Sequence, residues 1–595
     1  MHHRKITNWM LLIGAVLLGG FILIFERGSA NSQQQALRAR TVFSVFPESI
    51  ERILMERNGV QIECTKTAGI WRLTKPADAP LDSGMVEKMI DGLARVERGE
   101  LISEKTLKER NLTPADYGFD APRARITFKN NRGTSTWLIG RDAPVGKTLY
   151  VMNESGGDII AAPQTLLNLV PQDPSWIRDR TLFSGETAAV RGIDLRRADG
   201  FLQLRQPENN GWLIRQPHAG RADKQAVHAL IESIFSGRIN DFISDTKTDL
   251  TAYGLEKPTS ELTVFTQDER TQTLLIGKPV PENPKIIYAK RIESDSVFTV
   301  SAEWARELDL NDDLLRSRQV IGLPAERITA IQLNFNDHSV ELLRTNNQWQ
   351  VVRPARWEAD PAQINQLLKV LTGATVKEFV DEPSEAQTAQ MKAAPWTAVL
   401  TADGKTNTIH ISASETNALR LVQYNDEPTL YATDRSIVRD VFADPLFYRR
   451  STVLEVNPTQ IDKITIQTGT AEQSVRKTET GSFATDLPDR QINSKALTDM
   501  MWALNDLRAG RYVDYNPASL TPYGLDQPKT TLTVTLSDTN VVGRMVLLGN
   551  TTKDGRFAMI QGQNIIFVIS EETSKTLTSE LTVPIEKQTE ETKQP

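Results

Sequence analysis

The sequence repeats itself four times, and this repetition constrains the fold more than any other feature. An arginine followed by a short apolar stretch recurs at intervals of 140, 138 and 132 residues, at Arg40, Arg180, Arg318 and Arg450. A strand-like segment follows in each copy, with an isoleucine at the equivalent place, namely Ile53, Ile193, Ile331 and Ile464. Self-similarity at a steady period is the signature of tandem structural units. The sequence therefore predicts four copies of one domain rather than a single fold of 595 residues.

Each copy carries an aromatic residue five positions before a proline. The segments GIWRLTKP, GWLIRQP, QWQVVRP and SFATDLP are typical of the second strand of a β-hairpin, with alternating apolar residues and a proline that ends the ladder. We expect four structurally equivalent, buried aromatic side chains: Trp71, Trp212, Trp349 and Phe483.

One amphipathic helix per copy is predicted to follow the hairpin. Good N-capping residues stand ten or eleven positions after each aromatic, at Asp82, Asp223, Asp360 and Asn493. Behind each of them, apolar residues recur at the spacing of one helical face. The cap and the periodicity together indicate a helix that packs its apolar side on a sheet.

A second motif follows the helix in three of the copies, as DYGFDAP, AYGLEKP and PYGLDQP. Its glycine is suited to a positive φ, and the residue before its proline is held extended. We predict a structural turn with aromatic side chains against the core, and keep a ligand-binding role for the tyrosines as the alternative. The residues concerned are Tyr117, Gly118, Tyr253, Gly254, Tyr523 and Gly524. A strand then ends in LIG or LLG, at Gly140, Gly277 and Gly549.

The third copy departs from this pattern. It has QMKAAP where the others have the tyrosine-glycine motif, and IHI around His410 where they have LIG. Either its surface has been freed for another role, or the difference is neutral drift. Trp349 and the helical pattern indicate that its fold is retained.

The order hairpin, helix, β-meander and short helix predicts an α+β domain with a mostly antiparallel sheet. The expected boundaries are 40–179, 180–317, 318–449 and 450–583 for repeats one to four, with repeat three as the divergent copy. Residues 26–39 are predicted to be a linker, and the polar residues 584–595 a disordered tail.

Residues 6–25 form a run without formal charge that is long enough to cross a bilayer as a helix. Because Arg4 and Lys5 precede it, residues 1–5 are predicted to be a cytoplasmic stub and the rest of the chain to be exported. The alternative is a cleaved signal peptide. The single cysteine, Cys64, excludes an intrachain disulfide. We therefore expect a single-pass protein of a bacterial inner membrane whose bulk lies in the periplasm.

No motif predicts catalysis, a metal site or a cofactor, so we expect a protein that is not an enzyme. A net charge of −6 with both signs interspersed argues against binding to nucleic acid. The string GRDAPVGKT is similar to a phosphate-binding loop, but its glycine spacing is wrong and a strand-like segment follows it, which favours a hairpin loop. The arginines that open the repeats either cap the junctions between neighbouring domains or are solvated.

The combination of W-x-L-x-x-P, helix, YGLD-x-P and LIG resembles the bacterial "domain of unknown function 4340" family, with repeat three departing from it. The resemblance implies a single-pass protein associated with Gld-type ABC transporters, which are auxiliary or gliding-motility export systems, and hence an ABC permease as partner. We expect a membrane-anchored accessory or scaffold subunit. The alternatives are an extracytoplasmic module that binds glycan or cell-wall polymer, and an enzyme with a site split between repeats.

Overall fold

A computed structural model gives the fold of the chain between residues 39 and 585. Within that range it describes all residues except 132, 209–210, 247–248, 336–337 and 538–542. The predicted stub 1–5, the anchor 6–25, the linker up to residue 38 and the tail from residue 586 lie outside the described residues. Among the described residues, no helix is both long and apolar enough to cross a membrane.

Repeats one and two contain the same succession of strands and the same main helix, and they differ in the position of a second, short helix. The strands of repeat one are β1 Ile50–Arg57, β2 Val60–Thr67, β3 Ile70–Lys75, β4 Ala79–Pro80, β5 Leu101–Ile102, β6 Ala124–Asn130, β7 Gly133–Asp142, β8 Thr148–Asn153 and β9 Ile159–Pro163, and its helices are α1 Ser83–Ala94 and α2 Glu104–Glu109. The strands of repeat two are β10 Val190–Arg197, β11 Phe201–Arg205, β12 Leu213–Gln216, β13 Gly220–Arg221, β14 Ile239–Ser244, β15 Ser260–Thr266, β16 Thr271–Val280, β17 Asn283–Arg291 and β18 Val297–Ser301, and its helices are α3 Lys224–Ser236 and α4 Ala302–Glu307.

Repeats three and four follow the same plan with local changes. The strands of repeat three are β19 Ile328–Phe335, β20 His338–Thr345, β21 Gln348–Arg353, β22 Trp357–Glu358, β23 Glu378–Val380, β24 Trp396–Ala402, β25 Lys405–Thr416, β26 Leu419–Tyr424 and β27 Leu430–Asp434, and its helices are α5 Pro361–Gly373, α6 Glu385–Lys392 and α7 Ser436–Val441. The strands of repeat four are β28 Thr452–Leu454, β29 Ile461–Thr468, β30 Ala471–Lys477, β31 Phe483–Ala484, β32 Arg490–Ile492, β33 Leu507–Arg508, β34 Arg511–Tyr515, β35 Thr530–Leu536, β36 Arg544–Thr552, β37 Gly555–Ile560, β38 Ile565–Ile569 and β39 Thr582–Pro584, and its helices are α8 Ser494–Asn505 and α9 Glu571–Leu577.

Each of the first three repeats forms a nine-stranded sheet with one strand order, which in repeat one is β4-β3-β2-β1-β6-β7-β8-β9-β5. Repeat four has an eight-stranded sheet in the order β31-β30-β29-β35-β36-β37-β38-β34. Its strand pairs are antiparallel, as are those in the other repeats, for example β1 with β6 and β29 with β35. The four isoleucines that mark the sequence repeat lie in the interior strands β1, β10, β19 and β29 and are fully buried.

Four repeats of mostly antiparallel sheet are confirmed, but α+β overstates the helical share. Each repeat has one main helix of 12 or 13 residues against eight or nine strands in its principal sheet. The segment after that helix carries glycine and proline in three repeats, so the chain makes a 3₁₀ turn there rather than a long helix, as at Leu250–Tyr253. The repeat is therefore a sheet with one helix packed on it.

The main helices begin where the sequence predicts. A side-chain oxygen of Asp82 accepts the N–H of Met85 at 3.0 Å, and Asn493 accepts that of Ala496 at 3.2 Å. Asp360 plays the same part at the start of α5. The buried side of each helix consists of the apolar residues of one face, which in α1 are Val86, Met89, Ile90 and Leu93.

The described chain divides into two compact units. The first runs up to Pro217 and resumes over Lys224–Leu315, and the second comprises His218–Asp223 together with the residues from Arg316 onwards. Repeats one and two therefore lie mainly in the first unit, and repeats three and four in the second.

Candidate functional site at the repeat junctions

The two glycine motifs of a repeat interlock. Gly254 has a φ of 67° and ends the 3₁₀ turn that carries Tyr253. A Cβ added at Gly277 would lie 2.3 Å from the carbonyl oxygen of Tyr253, so only glycine fits beneath that turn. The distances are 2.2 Å for the pair Gly140 and Tyr117, and 2.1 Å for the pair Gly549 and Tyr523.

The tyrosine rings of this motif pack on aromatic residues of the same repeat. The ring of Tyr117 meets that of Tyr150 edge-on with centroids 4.8 Å apart, and Tyr253 meets Tyr288 at 4.9 Å. In repeat four, Tyr523 packs in the same way on Phe557 at 5.3 Å. These contacts are consistent with the predicted structural role of the tyrosines.

The four hairpin aromatics are not equally buried. Trp71 and Trp212 are 1% and 3% exposed and lie in the cores of their repeats. Trp349 and Phe483 are only half-buried, against the edges of their cores. In repeat three a second tryptophan, Trp357, is buried instead. The equivalence of the four positions in sequence therefore does not extend to their burial.

Repeat three has replaced both glycine motifs together. Helix α6 stands where the others have the tyrosine-glycine turn, and Ser412 follows Ile411 where the others have the LIG glycine. The buried Ser412 hydroxyl donates to the carbonyl of Ser414 at 2.9 Å and accepts the N–H of Leu421 at 3.1 Å. The neighbouring His410 is half-exposed, with its ring 3.3 Å from the hydroxyl of Thr397. A side chain is tolerated at residue 412 because no tyrosine-glycine turn lies over it.

An arginine stands at the end of each of the first three repeats; Arg178 and Arg316 are buried, and Arg449 is half-buried. There the chain returns to pair with the residue just before the main helix begins, in the bridges Leu81 to Arg178, Ala222 to Arg316 and Ala359 to Arg449. The guanidinium group lies over an aromatic ring in an edge strand of the following repeat's sheet. These edge strands are β14, β23 and β34.

At the first junction the arginine pairs with a carboxylate of the following repeat. The guanidinium of Arg178 lies 3.4 Å from the centroid of the Phe242 ring and donates to Asp245 at 2.9 Å. The hydroxyl of Ser296 donates to the same carboxylate at 2.8 Å. The Arg178 side chain is only 4% exposed, so this ion pair is largely removed from water. It joins repeats one and two inside the first unit.

The second junction repeats this chemistry inside the second unit. Arg316 lies 3.7 Å from the centroid of the Phe379 ring and donates to both oxygens of Asp381, at 2.8 and 2.6 Å. Thr429 donates to Asp381 at 2.9 Å, and His218 lies 3.9 Å from it. Burial alone would raise the pKa of Asp381, but hydrogen bonds from Arg316 and Thr429 outweigh it and hold that pKa below its ordinary value.

The arginines that open repeats two and three cap backbone carbonyls at the start of the same edge strand in repeat two and just before it in repeat three. Arg180 donates to the carbonyls of Ile239 and Asn240, and Arg318 is placed 3.4 Å from the carbonyls of Val376 and Lys377. Of the two roles that the sequence left open for these residues, the structure favours the cap at the junction.

The third junction keeps the arginine and the aromatic ring but lacks the carboxylate. Arg449 lies 4.8 Å from the centroid of the Tyr512 ring, and Tyr512 faces Phe567 in the ladder as Phe379 faces Tyr431 in repeat three. No carboxylate of the described residues pairs with Arg449, and its buried Nη1 has no hydrogen-bond partner there. Burial lowers the pKa of Arg449.

Next to this arginine is a cavity of about 500 Å³ between repeats three and four. Its wall includes Asp360, Asp444, Phe447, Arg449, Arg511 and Tyr512. The opening arginine of repeat four does not close it, because Arg450 pairs instead with Glu358 at 3.0 Å and Glu455 at 2.7 Å. The third junction thus has a cavity next to Arg449, an arginine with which no carboxylate of the described residues pairs.

Two other places hold polar side chains but are explained by the fold. Arg221, in the second unit, pairs with Glu427 at 3.1 Å, lies 4.7 Å from the centroid of the Tyr424 ring and donates to a carbonyl at 2.8 Å. A cavity of about 560 Å³ in repeat two is lined by Arg191 and His228, and Arg191 is already bonded to Gln267 at 2.7 Å. The part of the chain that the structure describes contains no group of three or more histidine, cysteine or acidic residues placed to hold a metal ion.

We refer to each of the two ion pairs, Arg178 with Asp245 and Arg316 with Asp381, as a latch. Sequence reasoning missed these residues: it singled out Arg180, Arg318 and Arg450, whereas the arginines that meet the aromatic rings are Arg178, Arg316 and Arg449 just before them. The signal was present in the paired arginines of RDR, RSR and RR at the ends of the repeats. The acidic partners of Arg178 and Arg316 lie in the following repeat, where nothing in the local sequence distinguishes them from surface carboxylates.

Comparison with known proteins agrees with the internal repetition. The family described as a domain of unknown function, DUF4340, matches over residues 71–213, 212–348, 349–486 and 483–592. Each match starts at or next to a hairpin aromatic, so it is offset from the sheet that begins about twenty residues earlier, at Ile50 in repeat one. No curated protein matches the sequence. Because the four matches cover most of its length, the chain belongs to the DUF4340 family.

Proposed function

We propose that this protein is a membrane-anchored accessory or scaffold subunit, exposed on the periplasmic side, that serves an ABC-type export system. The repeats supply a surface for partners, and the ATPase is another chain. The membrane attachment in this proposal rests on the uncharged run 6–25, which follows Arg4 and Lys5. Within it, Ala15 and Gly19 stand at a spacing that permits close packing against another membrane helix.

The observation that carries the scaffold role is the repeated latch. Arg178 pairs with Asp245 inside the first unit, and Arg316 pairs with Asp381 inside the second, so these charged groups are committed to each other and not to a ligand. Tandem repeats commonly use their surfaces to bind partners. The association with a Gld-type permease rests on the family resemblance and on the anchor.

Affinity purification of the full chain tests this proposal. The tagged protein is extracted in mild detergent, and its partners are identified by mass spectrometry. We expect a multi-span permease among them, with weaker recovery when residues 6–25 are exchanged for an unrelated single-pass helix of equal length, and weaker still when the repeats are deleted after residue 39. If the wild-type chain recovers no permease, the accessory role is wrong.

The topology needs a test of its own. A reporter fused after Pro595 should be active only if it is of the periplasmic type, since residues 40–595 are expected to be exported. A cytoplasmic reporter that is active at the same position contradicts the whole proposal.

The second candidate is a module that binds glycan or cell-wall polymer. The cavity in repeat two favours it, because Lys224, His228 and Glu208 surround a concave surface of useful size. A polymer pull-down in the absence of any permease distinguishes this candidate from the first.

A further inference from the structure

We propose that the cavity at the third junction binds an acidic peptide segment of a partner protein, with a carboxylate of that segment paired to Arg449. This inference rests on the proposed function, because it names the chemistry by which the repeats contact their partner. It assigns the contact to repeats three and four alone.

The chain itself supplies the template for the ligand. At two junctions the equivalent arginine lies on an aromatic ring and pairs with a carboxylate, Asp245 for Arg178 and Asp381 for Arg316. At the third junction the arginine and the ring are in place, as Arg449 and Tyr512, and the carboxylate is missing. A partly buried guanidinium without a counter-ion is unfavourable, and a carboxylate in bidentate contact is the group that best relieves it.

Asp514 is the acidic residue of repeat four that corresponds most closely in sequence to Asp245 and Asp381, but it cannot pair with Arg449. Asp245 and Asp381 both come directly after the end of their edge strands, β14 and β23. Strand β34 continues to Tyr515, so Asp514 is held within the ladder opposite Ile566 and accepts a long hydrogen bond from the Tyr523 hydroxyl at 3.5 Å. The extended strand therefore keeps the protein's own carboxylate away from Arg449.

The other charges of the cavity favour a single carboxylate over a phosphate. Asp360 and Asp444 each accept backbone N–H groups at the start of a helix, at 2.8 and 2.9 Å, and Arg511 is paired with Asp554 at 2.6 Å. Arg449 is thus the cation of the wall with which no carboxylate of the described residues pairs. Two nearby carboxylates repel a dianion more strongly than a monoanion.

The surroundings suit a peptide better than a free acid. Strand β34 is the last strand of its sheet, with β38 on one side and, in the described residues, no strand on the other. An extended peptide can add to such an edge by main-chain hydrogen bonds. Phe447 at the cavity wall is 50% exposed and offers an apolar contact to a neighbouring side chain.

Binding of a defined peptide to the full chain in detergent tests the inference. The probe is the terminally blocked, fluorescently labelled peptide QFVDQ, which is the sequence of residues 378–382 with both glutamates replaced by glutamine, so that the aspartate of the internal template is its single carboxylate. The uncharged counterpart QFVNQ is the control. Fluorescence anisotropy should show saturable binding of QFVDQ, and binding of QFVNQ at least about tenfold weaker.

Protein variants locate the site. Arg449→Gln should weaken binding of QFVDQ at least about tenfold and Phe447→Ser about threefold, whereas Arg270→Gln, at an exposed arginine of repeat two, should leave it unchanged. Phe447→Ser changes a half-exposed side chain, so it keeps the test usable if Arg449→Gln does not fold. Saturable binding that survives both variants overturns the assignment.

Other outcomes also decide the question. Displacement of the peptide by inorganic phosphate as readily as by acetate would show a general anion site, and equal binding of QFVNQ would show that no carboxylate is recognised; either overturns the inference. If a permease copurifies and QFVDQ does not bind, the inference fails while the proposed function stands. If QFVDQ binds and no permease is recovered, the carboxylate site stands while the proposed accessory function fails.

Discussion

At the scale of single residues, the second glycine of each repeat is fixed by a backbone atom of the first motif. The carbonyl of Tyr253 occupies the place that a Cβ of Gly277 would need. This explains why the YG and LIG strings are present together in three repeats and absent together in the third, where Ser412 fills the position. Neither string alone predicts the close approach, because it joins residues that are 24 positions apart.

Gly277→Ala is expected to destabilise the first unit by about 3 kcal/mol, since a Cβ 2.3 Å from a carbonyl oxygen forces the backbone to move. Chemical denaturation of the variant and the wild type measures this. Gly373→Ala, at the end of α5 with no atom within 4 Å of the added Cβ, should change stability by no more than about 1 kcal/mol. Equal effects of the two substitutions would contradict the interlock.

The carboxyl group of Asp381 should make the second unit sensitive to acid. Its folded-state pKa is held below the ordinary value of about 3.9, so its contribution to stability is complete above that pH and is lost as the pH falls through the lowered folded value. We expect wild type to be more stable than Asp381→Asn at pH 7, and the gap to close below about pH 4. Thermal melts across this range give the measurement, and a gap that stays constant with pH would exclude the ion pair as its cause.

At the scale of elements, hairpin, helix and meander follow from local pattern, while the burial of their side chains does not. Trp71 and Trp212 lie in the core, but Trp349 and Phe483 reach only its edge. In repeat three it is Trp357 of β22 that belongs to the buried core, and Trp349 packs against that core from its edge. The five-residue spacing to proline determines which face of the strand the aromatic side chain lies on. It does not determine how much of that side chain is buried.

Trp212→Ala should therefore cost about 3–5 kcal/mol, as expected for a large side chain removed from a closed core. Trp349→Ala should cost about 1–2 kcal/mol, because part of that indole is in water already. Each variant is compared with the wild type by chemical denaturation, which follows the unit that carries it. Similar losses at both positions would show that Trp349 is a core residue in solution.

At the scale of the whole molecule, the arginine at the end of each of the first three repeats distinguishes two junctions with an ion pair from one without. Arg178 and Arg316 are neutralised by Asp245 and Asp381, whereas no carboxylate in the part of the chain that the structure describes pairs with Arg449. Removing one partner of a buried ion pair leaves the other as an uncompensated buried charge, which destabilises the fold. Removing a cation that has no counter-ion leaves no such charge behind.

Arg178→Met is expected to destabilise the first unit by about 3 kcal/mol, because Asp245 loses its counter-ion. Arg449→Met should change the stability of the second unit by less than about 1 kcal/mol, or raise it, since the unpaired charge is replaced by an apolar side chain of similar length. Denaturation curves of the two variants provide the comparison. A large loss for Arg449→Met would mean that this arginine has a partner within the protein.

The sequence by itself determined the number of repeats, the order of elements in each, the starts of the main helices and the family, because these depend on periodicity, capping and turn chemistry within short segments. Only the tertiary structure decided that the repeat is a broad sheet with little helix, that Gly277 lies under Tyr253, and that one junction out of three lacks its carboxylate. Those features depend on pairs such as Arg316 and Asp381, which are 65 residues apart in the chain. No local pattern encodes such a pair, because its energy arises only when the fold removes both groups from water together.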